Sequence, residues 1–260
     1  MGLSWNDIGT RYAETGIDRG VLYVDGLDGV AWNGITSVVE SSSGGEARPF
    51  YIDGIKYLNL ASMEEFAGSI DALYSPEEFD LCDGTLALTR GVYAHQQVRR
   101  PFCFSFRSRI ANDVDGLDHG YKIHIIYNAM ATPATRSYRS LADSSDVNSL
   151  SWSITTKPIA FPGLQPTSHV TIDTRKTSSY VLSRLEKVLY GSELEDARVP
   201  LPEELLAIFS DVPELTVTDN GDGTALIDGE GVIDNGDGTF TITSDTVVDN
   251  GDGTFTVSSP

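Results

Sequence analysis

A mostly β fold with one flanking helix is what the sequence predicts, and three observations carry it. Phe102, Phe104 and Phe106 alternate with Cys103, Ser105 and Arg107, the period of two that a half-buried strand requires. Short apolar runs are separated by clusters of Gly, Asn and Asp, notably Asn112-Asp113-Val114-Asp115-Gly116, which act as turns. One long stretch, Ser178 to Tyr190, reads clearly as a helix.

Taken along the chain, Val21 to Val24 is the first strand candidate, followed by Pro49 to Leu60. Between them, Glu40 to Glu46 (Glu-Ser-Ser-Ser-Gly-Gly-Glu) predicts a long, exposed and mobile loop. Residues 61–80 are ambiguous. Ser62 and Glu65 resemble a capping box, whereas Phe66, Ile70, Ala72 and Tyr74 suit one strand face. The strand reading, with a turn at Ser75-Pro76, is favoured. Phe102–Phe106, Tyr121–Tyr127, Leu150–Thr156 and Val170–Thr174 are the remaining body strands. In the helix, Val181, Leu182, Leu185, Val188 and Leu189 form one apolar stripe. A Ser or Thr at 177–179 can cap its start, and Gly191 fits the position past its end. A shorter helix is predicted at Pro202 to Phe209, with Pro in the first turn and Glu203 and Glu204 facing the positive end of the dipole.

The last part of the chain is organised differently. Asp-Asn-Gly-Asp-Gly-Thr occurs at 219–224, 234–239 and 249–254, a 15-residue repeat that marks a separate module. The expected division is a body of residues 1–211 and a module of residues 212–260, with the junction near Ser210 to Glu214. Calcium is tempting, but an EF-hand loop needs ligands at positions 1, 3 and 5 and Gly at 6. Counting from Asp219 puts Gly221 and Gly223 at positions 3 and 5, and counting from Asn220 puts Ala225 at position 6. β-Hairpin loops fit better, because Asn-Gly and Asp-Gly supply positive φ angles. A four-residue loop, Asn-Gly-Asp-Gly, would set Asp219 opposite Thr224, Ile233 opposite Phe240 and Val248 opposite Phe255. With second turns at 228–231 and 243–246, the module reads as a meander of about six short strands.

At 260 residues and 40% hydrophobic, the chain can bury a sizeable core in one main domain. Its formal charge of −20 is unevenly spread. Residues 199–260 hold 13 Asp and Glu and no Lys or Arg, a charge of −13; the rest holds 25 acids against 18 bases, a charge of −7. That balance argues against holding nucleic acid through phosphate contacts. It suits a wall along which a polyanion slides without adhering. Two cysteines, Cys82 and Cys103, are too few for a disulfide framework, and a reduced protein is expected. The N-terminal Met-Gly-Leu-Ser-Trp-Asn lacks signal-peptide regions and the Ser or Thr of a myristoylation site. No apolar run approaches spanning length, so no membrane association is expected.

Motifs for chemistry fail in turn. There is no nucleophile elbow, His-Glu-x-x-His helix or P-loop. Gly221-Asp222-Gly223 starts like a dinucleotide fingerprint, but Leu226 stands in the place of the third glycine. His95, His119, His124 and His169 are not spaced as ligand pairs; with Cys82 and Cys103 they could meet in space, yet dispersed His and Cys are more often ordinary strand residues, the reading favoured over a metal site. Glu64-Glu65 and Glu77-Glu78 could serve glycoside hydrolysis only at a separation the sequence does not show. Trp5, Trp32 and Trp152 read as packing residues rather than a sugar platform. No catalytic, cofactor-binding or metal-ligating residues are assigned, and no enzyme activity is expected.

Four segments resemble the major tail (tail tube) proteins of long-tailed phages infecting actinobacteria. They are Gly2-Leu-Ser-Trp-Asn-Asp-Ile-Gly-Thr-Arg-Tyr, Pro49-Phe-Tyr-Ile-Asp-Gly-Ile-Lys-Tyr-Leu-Asn-Leu, Asn112-Asp-Val-Asp-Gly-Leu-Asp-His-Gly-Tyr-Lys-Ile-His and Ser151-Trp-Ser-Ile-Thr-Thr-Lys-Pro. With the C-terminal helix they span about residues 1–210. The resemblance implies a tail-tube β-sandwich that forms a barrel with its neighbours, flanked by one α-helix. It implies hexameric rings stacked into a tube through which DNA passes during genome delivery. It further implies a virion protein assembled in the host cytoplasm beside the tape measure, tail tip and terminator proteins. The C-terminal module is expected on the tube exterior, and the loop at 40–46 is expected to order against the next ring. A carbohydrate- or surface-binding β module is the alternative, and a hydrolase with scattered carboxylates is a more distant one.

Overall fold

The computed structural model describes residues 5–25, 27–61, 64–133, 136 and 149–210, with the backbone of six short strands between 216 and 257. In chain order the body strands are β1 (Tyr12–Val24), β2 (Val30–Ala31), β3 (Ile35–Glu40), β4 (Ser43–Gly44), β5 (Ala47–Ile52), β6 (Ile55–Ala61), β7 (Glu64–Glu65), β8 (Ala67–Ala72), β9 (Leu86–Thr89), β10 (Val92–Ala94), β11 (Phe102–Asn112), β12 (Gly116–Ala131), β13 (Leu150–Thr156) and β14 (His169–Asp173). The helices are α1 (Asp80–Asp83), entered through a 3-10 turn at Glu77–Phe79, then α2 (Ser179–Tyr190) and α3 (Pro202–Ser210). The protein is mostly β.

The main sheet is antiparallel in the order β2-β1-β11-β12-β13-β8-β3, and β14 pairs with the middle of β12. Its two ends, β2 and β3, are separated by a few residues around Gly34, which takes φ 81°. The stretch 30–40 bonds to β1 through its front half and to β8 through its rear half. The sheet therefore curls and closes on itself through this stretch.

Closure creates an inside and an outside, and strand alternation assigns residues to each. Leu22, Val24, Phe102, Phe104, Phe106, Ile126, Trp152 and Ile154 point inward, where Trp32 and Phe79 join them. The Trp32 ring meets Phe104 and Trp152 edge-on with centroids 5.7 Å apart, an arrangement worth more than its area alone. Val21, Tyr23, Ile123, Ile125, Tyr127 and Ile172 point outward and form a second core. There α2 presents Val181, Leu185 and Leu189, and α3 presents Leu205 and Ile208.

The α2 stripe is the one expected from sequence. The Ser178 hydroxyl accepts from the Val181 N–H at 3.4 Å, and Gly191 leaves the helix at φ 77°. Burying three large aliphatic side chains from one helix contributes on the order of 5–8 kcal/mol. The Tyr23 hydroxyl donates to the Leu189 carbonyl at 2.8 Å, fastening the end of α2 to β1.

Several expectations change. The alternation at 102–107 belongs to a strand covered on both faces, since Ser105 and Arg107 are also buried. The helices supply the outer cover that a half-buried strand would lack. Residues 61–80 carry strand β8 as favoured, but the strand ends at Ala72 with a bend at Leu73 rather than a turn at Ser75-Pro76, and Glu77 onward is the 3-10 turn into α1. The segment Glu40 to Glu46 is not all loop, because Ser43–Gly44 pairs with Glu64–Glu65. Cys82 and Cys103 are free and lie on opposite sides of the sheet, one in each core.

In the C-terminal region the strands are β15 (Thr216–Asp219), β16 (Ala225–Asp228), β17 (Val232–Asp234), β18 (Phe240–Ile242), β19 (Val247–Asp249) and β20 (Phe255–Val257). Six strands were expected, but they form three separate two-stranded hairpins, and no pairing links one hairpin to the next among the described residues. The register also differs by one residue. Asp219 stands opposite Ala225, Asp234 opposite Phe240 and Asp249 opposite Phe255. The physical reason lies one step back from the loop. This register matches Val217 with Ile227, Val232 with Ile242 and Val247 with Val257, a β-branched pair in every repeat. The expected register would have set Thr218 against Ala225 in the first repeat. The Asn-Gly-Asp-Gly loops themselves and the turns after 228 and 243 lie outside the described residues.

Candidate functional site: an apolar hairpin and a polar cluster on the inner sheet face

Strands β5 and β6 form a hairpin apart from the barrel sheet. Asp53 and Gly54 make its two-residue turn with φ 51° and 78°, the paired positive angles of a type I′ turn. Phe50 stands opposite Leu58 and Ile52 opposite Ile55, with a bulge between Phe50 and Tyr51. Every residue of both strands is exposed. That includes Phe50, Tyr51, Ile52, Ile55, Tyr57, Leu58 and Leu60, with Ile55 at 72% and Tyr57 at 73%. Alternation spreads these side chains over both faces of the hairpin; so much apolar surface left in water marks an interaction surface, and an isolated hairpin is marginal in water. A second small hairpin, β9–β10, exposes Leu86, Leu88, Val92 and Tyr93.

The second feature is polar. His124 on β12 and His169 on β14 sit on adjacent strands, with Ile126 opposite His169 and His124 opposite Thr171. This makes the two histidines diagonal neighbours on the inner face. His124 Nδ1 lies 3.1 Å from His169 Nε2, and Glu40 Oε1, at the end of β3, lies 3.6 Å from each nitrogen. His124 is buried and stacks on Phe106 at 4.5 Å, the two rings nearly parallel. His169 packs on Phe66 at 4.8 Å. Burial, with help from His169, pushes the His124 pKa down to about 4. Burial also lowers that of His169, although Glu40 opposes the shift. Both rings are therefore neutral imidazoles at pH 7.

Behind His124 runs a hydrogen-bonded chain. His124 Nε2 is 2.8 Å from Ser108 Oγ, which is 2.5 Å from Glu14 Oε1; Lys122 Nζ donates to Glu14 Oε2 at 2.5 Å. The hydrogen bonds from Lys122 and Ser108 hold Glu14 below the usual carboxylate range, against burial. An ionised carboxylate only accepts, so Ser108 gives its proton to Glu14 and must accept from His124 Nε2–H. The network thereby fixes the His124 tautomer and leaves Nδ1 unprotonated, an acceptor facing His169 Nε2.

The other residues weighed from sequence stay apart. His95 bonds Thr85 at 3.0 Å, and His119 bonds Asp115 at 2.9 Å and stacks on Tyr12. Glu64 and Glu65 are exposed in β7, while Glu77 and Glu78 open the 3-10 turn. Trp32 and Trp152 are core residues, and Trp5 is exposed. The sequence carried no signal for the His124–His169–Glu40 cluster, because its members are 45 or more residues apart and meet only through strand pairing.

No family model matches the chain, and no curated protein does. Solved structures overlap it loosely. A chain of the anti-feeding prophage baseplate is 10% identical with a TM-score of 0.34, over 65% of this chain and 97% of that one. The sheath–tube complex of an extracellular contractile injection system in its extended state gives 15% identity and a TM-score of 0.30, over 65% and 93%. The sheath/tube terminator of such a system gives 13% and 0.28, over 66% and 99%. Overlaps this loose assign the chain to none of these assemblies.

Proposed function

We propose that the protein is a structural component of a phage-type tail that associates with copies of itself into stacked rings. The observation that carries this reading is the β5–β6 hairpin, with seven large apolar side chains exposed and no covering element among the described residues. A neighbouring copy is the occupant that fits. The outer edges of β5 and β6 are unpaired in the two-stranded sheet, so a second chain can extend it by main-chain hydrogen bonds while covering its apolar face.

The rings are read as hexameric and the tube as the conduit for DNA, following the resemblance of residues 1–210 to tail tube proteins. Net negative charge favours passage of DNA over adhesion, because no array of cations is there to release phosphate counterions. Residues 212–260 are read as a separate module on the tube exterior, since six copies carrying −10 each would crowd and repel one another in a lumen. Other tail proteins (tape measure, tip and terminator) are the partners this reading implies, the virion is its location, and the role is structural rather than enzymatic.

Negative-stain microscopy of the purified full chain tests it. Rings or tubes of uniform diameter are expected on concentration. Monodisperse globules at every concentration would remove the reading.

A further inference from the structure

We propose that Glu40, His124 and His169 form a divalent-cation site, suited above all to zinc, that ties the end of β3 to β12 and β14. Three independent features converge on it.

The first is metric. The donor atoms His124 Nδ1, His169 Nε2 and Glu40 Oε1 form a triangle with sides of 3.1, 3.6 and 3.6 Å. A point equidistant from all three lies about 2.0 Å from each, the length of zinc–nitrogen and zinc–carboxylate bonds. An ion about 2.1 Å from each stands about 0.7 Å off their plane, the displacement of a tetrahedral centre above one of its faces. A water would complete the tetrahedron at the fourth corner. Thr171 Oγ1, 3.4 Å from both ring nitrogens, is at hand to hold that water.

The second is the donor set. Two imidazoles and one carboxylate are a ligand combination used for zinc, with a borderline preference that excludes calcium and magnesium, which take oxygen. The third is the support behind it. Metal-ligating histidines donate their other ring N–H to a fixed acceptor, and His124 does so into Ser108, Glu14 and Lys122. The Phe106 and Phe66 rings hold the two imidazoles in place.

Without an ion, His169 Nε2–H donates to His124 Nδ1 and the trio is only a hydrogen-bonded cluster. The two states differ in consequence. With a cation bound, Glu40 is fixed to the strands across from it, so the chain entering the 41–46 segment and the apolar hairpin beyond leaves the barrel from a clamped point.

The test uses the full chain stripped with chelator and titrated with Co²⁺, whose visible absorption reports tetrahedral coordination, then with Zn²⁺ in competition. One equivalent of Co²⁺ should bind with intense tetrahedral bands and be displaced by Zn²⁺. His169→Ala should weaken binding at least about 100-fold, and Ser108→Ala about 10–100-fold. Glu40→Gln changes an exposed side chain and keeps the fold, and it should weaken binding about 10-fold or more. His95→Ala should bind as the wild type does, and circular dichroism confirms that each variant is folded. Absence of a tetrahedral spectrum in the wild type would overturn the site. So would equal Co²⁺ uptake by H169A and E40Q, which would place the binding on scattered surface carboxylates. Ring formation is a separate readout, so a metal-binding chain that never assembles would remove the tail reading and leave this site standing.

Discussion

The pair β11–β12 and the hairpin β5–β6 are both antiparallel ribbons rich in aromatic and branched side chains, yet they meet opposite fates. In β11 and β12, Phe104, Ile123, Ile125 and Ile126 are wholly buried, because the closed sheet covers one face and α2 covers the other. In β5 and β6, Phe50, Ile55 and Tyr57 are at least half exposed, and no layer among the described residues covers either face. The same pattern of alternating side chains thus stabilises the chain in one place and leaves an unsatisfied surface in another. The two cores of the barrel are buried within one chain, whereas the hairpin's hydrophobic area is available for stabilising contact with another chain.

Substitutions can break that contrast in a graded way. Trp152→Ala empties the centre of the inner core and should cost about 3–5 kcal/mol, seen as a lower denaturant midpoint; a change under about 1 kcal/mol would mean the inner cluster is not the core. Next is Arg107→Ala on the outer face. Arg107 holds Asp18 at 2.7 and 3.0 Å and lies 4.4 Å from the centre of the Tyr121 ring. Its loss leaves Asp18 to Arg109 alone and should cost about 2–3 kcal/mol. Burial raises the Asp18 pKa, but hydrogen bonds from Arg107 and Arg109 outweigh it, and the net shift is downward. The stabilisation by this pair is therefore fully present above the ordinary carboxylate pKa of 3.8 and is lost as pH falls below it. The difference between wild type and R107A should narrow at acid pH, and a constant gap down to pH 2 would reject the pairing as its source.

The hairpin should behave in the reverse sense. Ile55→Ser with Tyr57→Ser should move monomer stability by no more than about 0.5 kcal/mol, while sedimentation velocity shows assemblies lost. Loss of folding without loss of assembly would invert the roles given to the two ribbons. The smallest effect is expected from truncation after Asp211. The body should keep its melting temperature within about 1–2 °C and still form rings, because its cores end with Leu205 and Ile208.

Much of this was legible in the chain. The stripe Val181, Leu185 and Leu189, the Ser178 cap and the Gly191 exit were readable because helix periodicity and capping are local. The strands at 102–106, 121–127 and 150–156 were readable for the same reason. The hairpin register at 216–257 was misjudged by one residue, since two registers each offered apolar pairs and local turn rules did not choose between them. The outer burial of Arg107 and Ser105 was missed because alternation announces one covered face, and the cover on the second comes from α2, some 70 residues away.

By itself, then, the sequence determined the β-rich composition, the place of each major element, the acidity and the change of character near residue 211. Those properties depend on residue type and on spacing of a few positions. Only the tertiary structure decided that the sheet closes through residues 30–40, that the 47–61 hairpin finds no cover among the described residues, and that Glu40, His124 and His169 converge. Each of these requires strands distant in sequence to meet, and nearest-neighbour periodicity carries no information about which strand pairs with which.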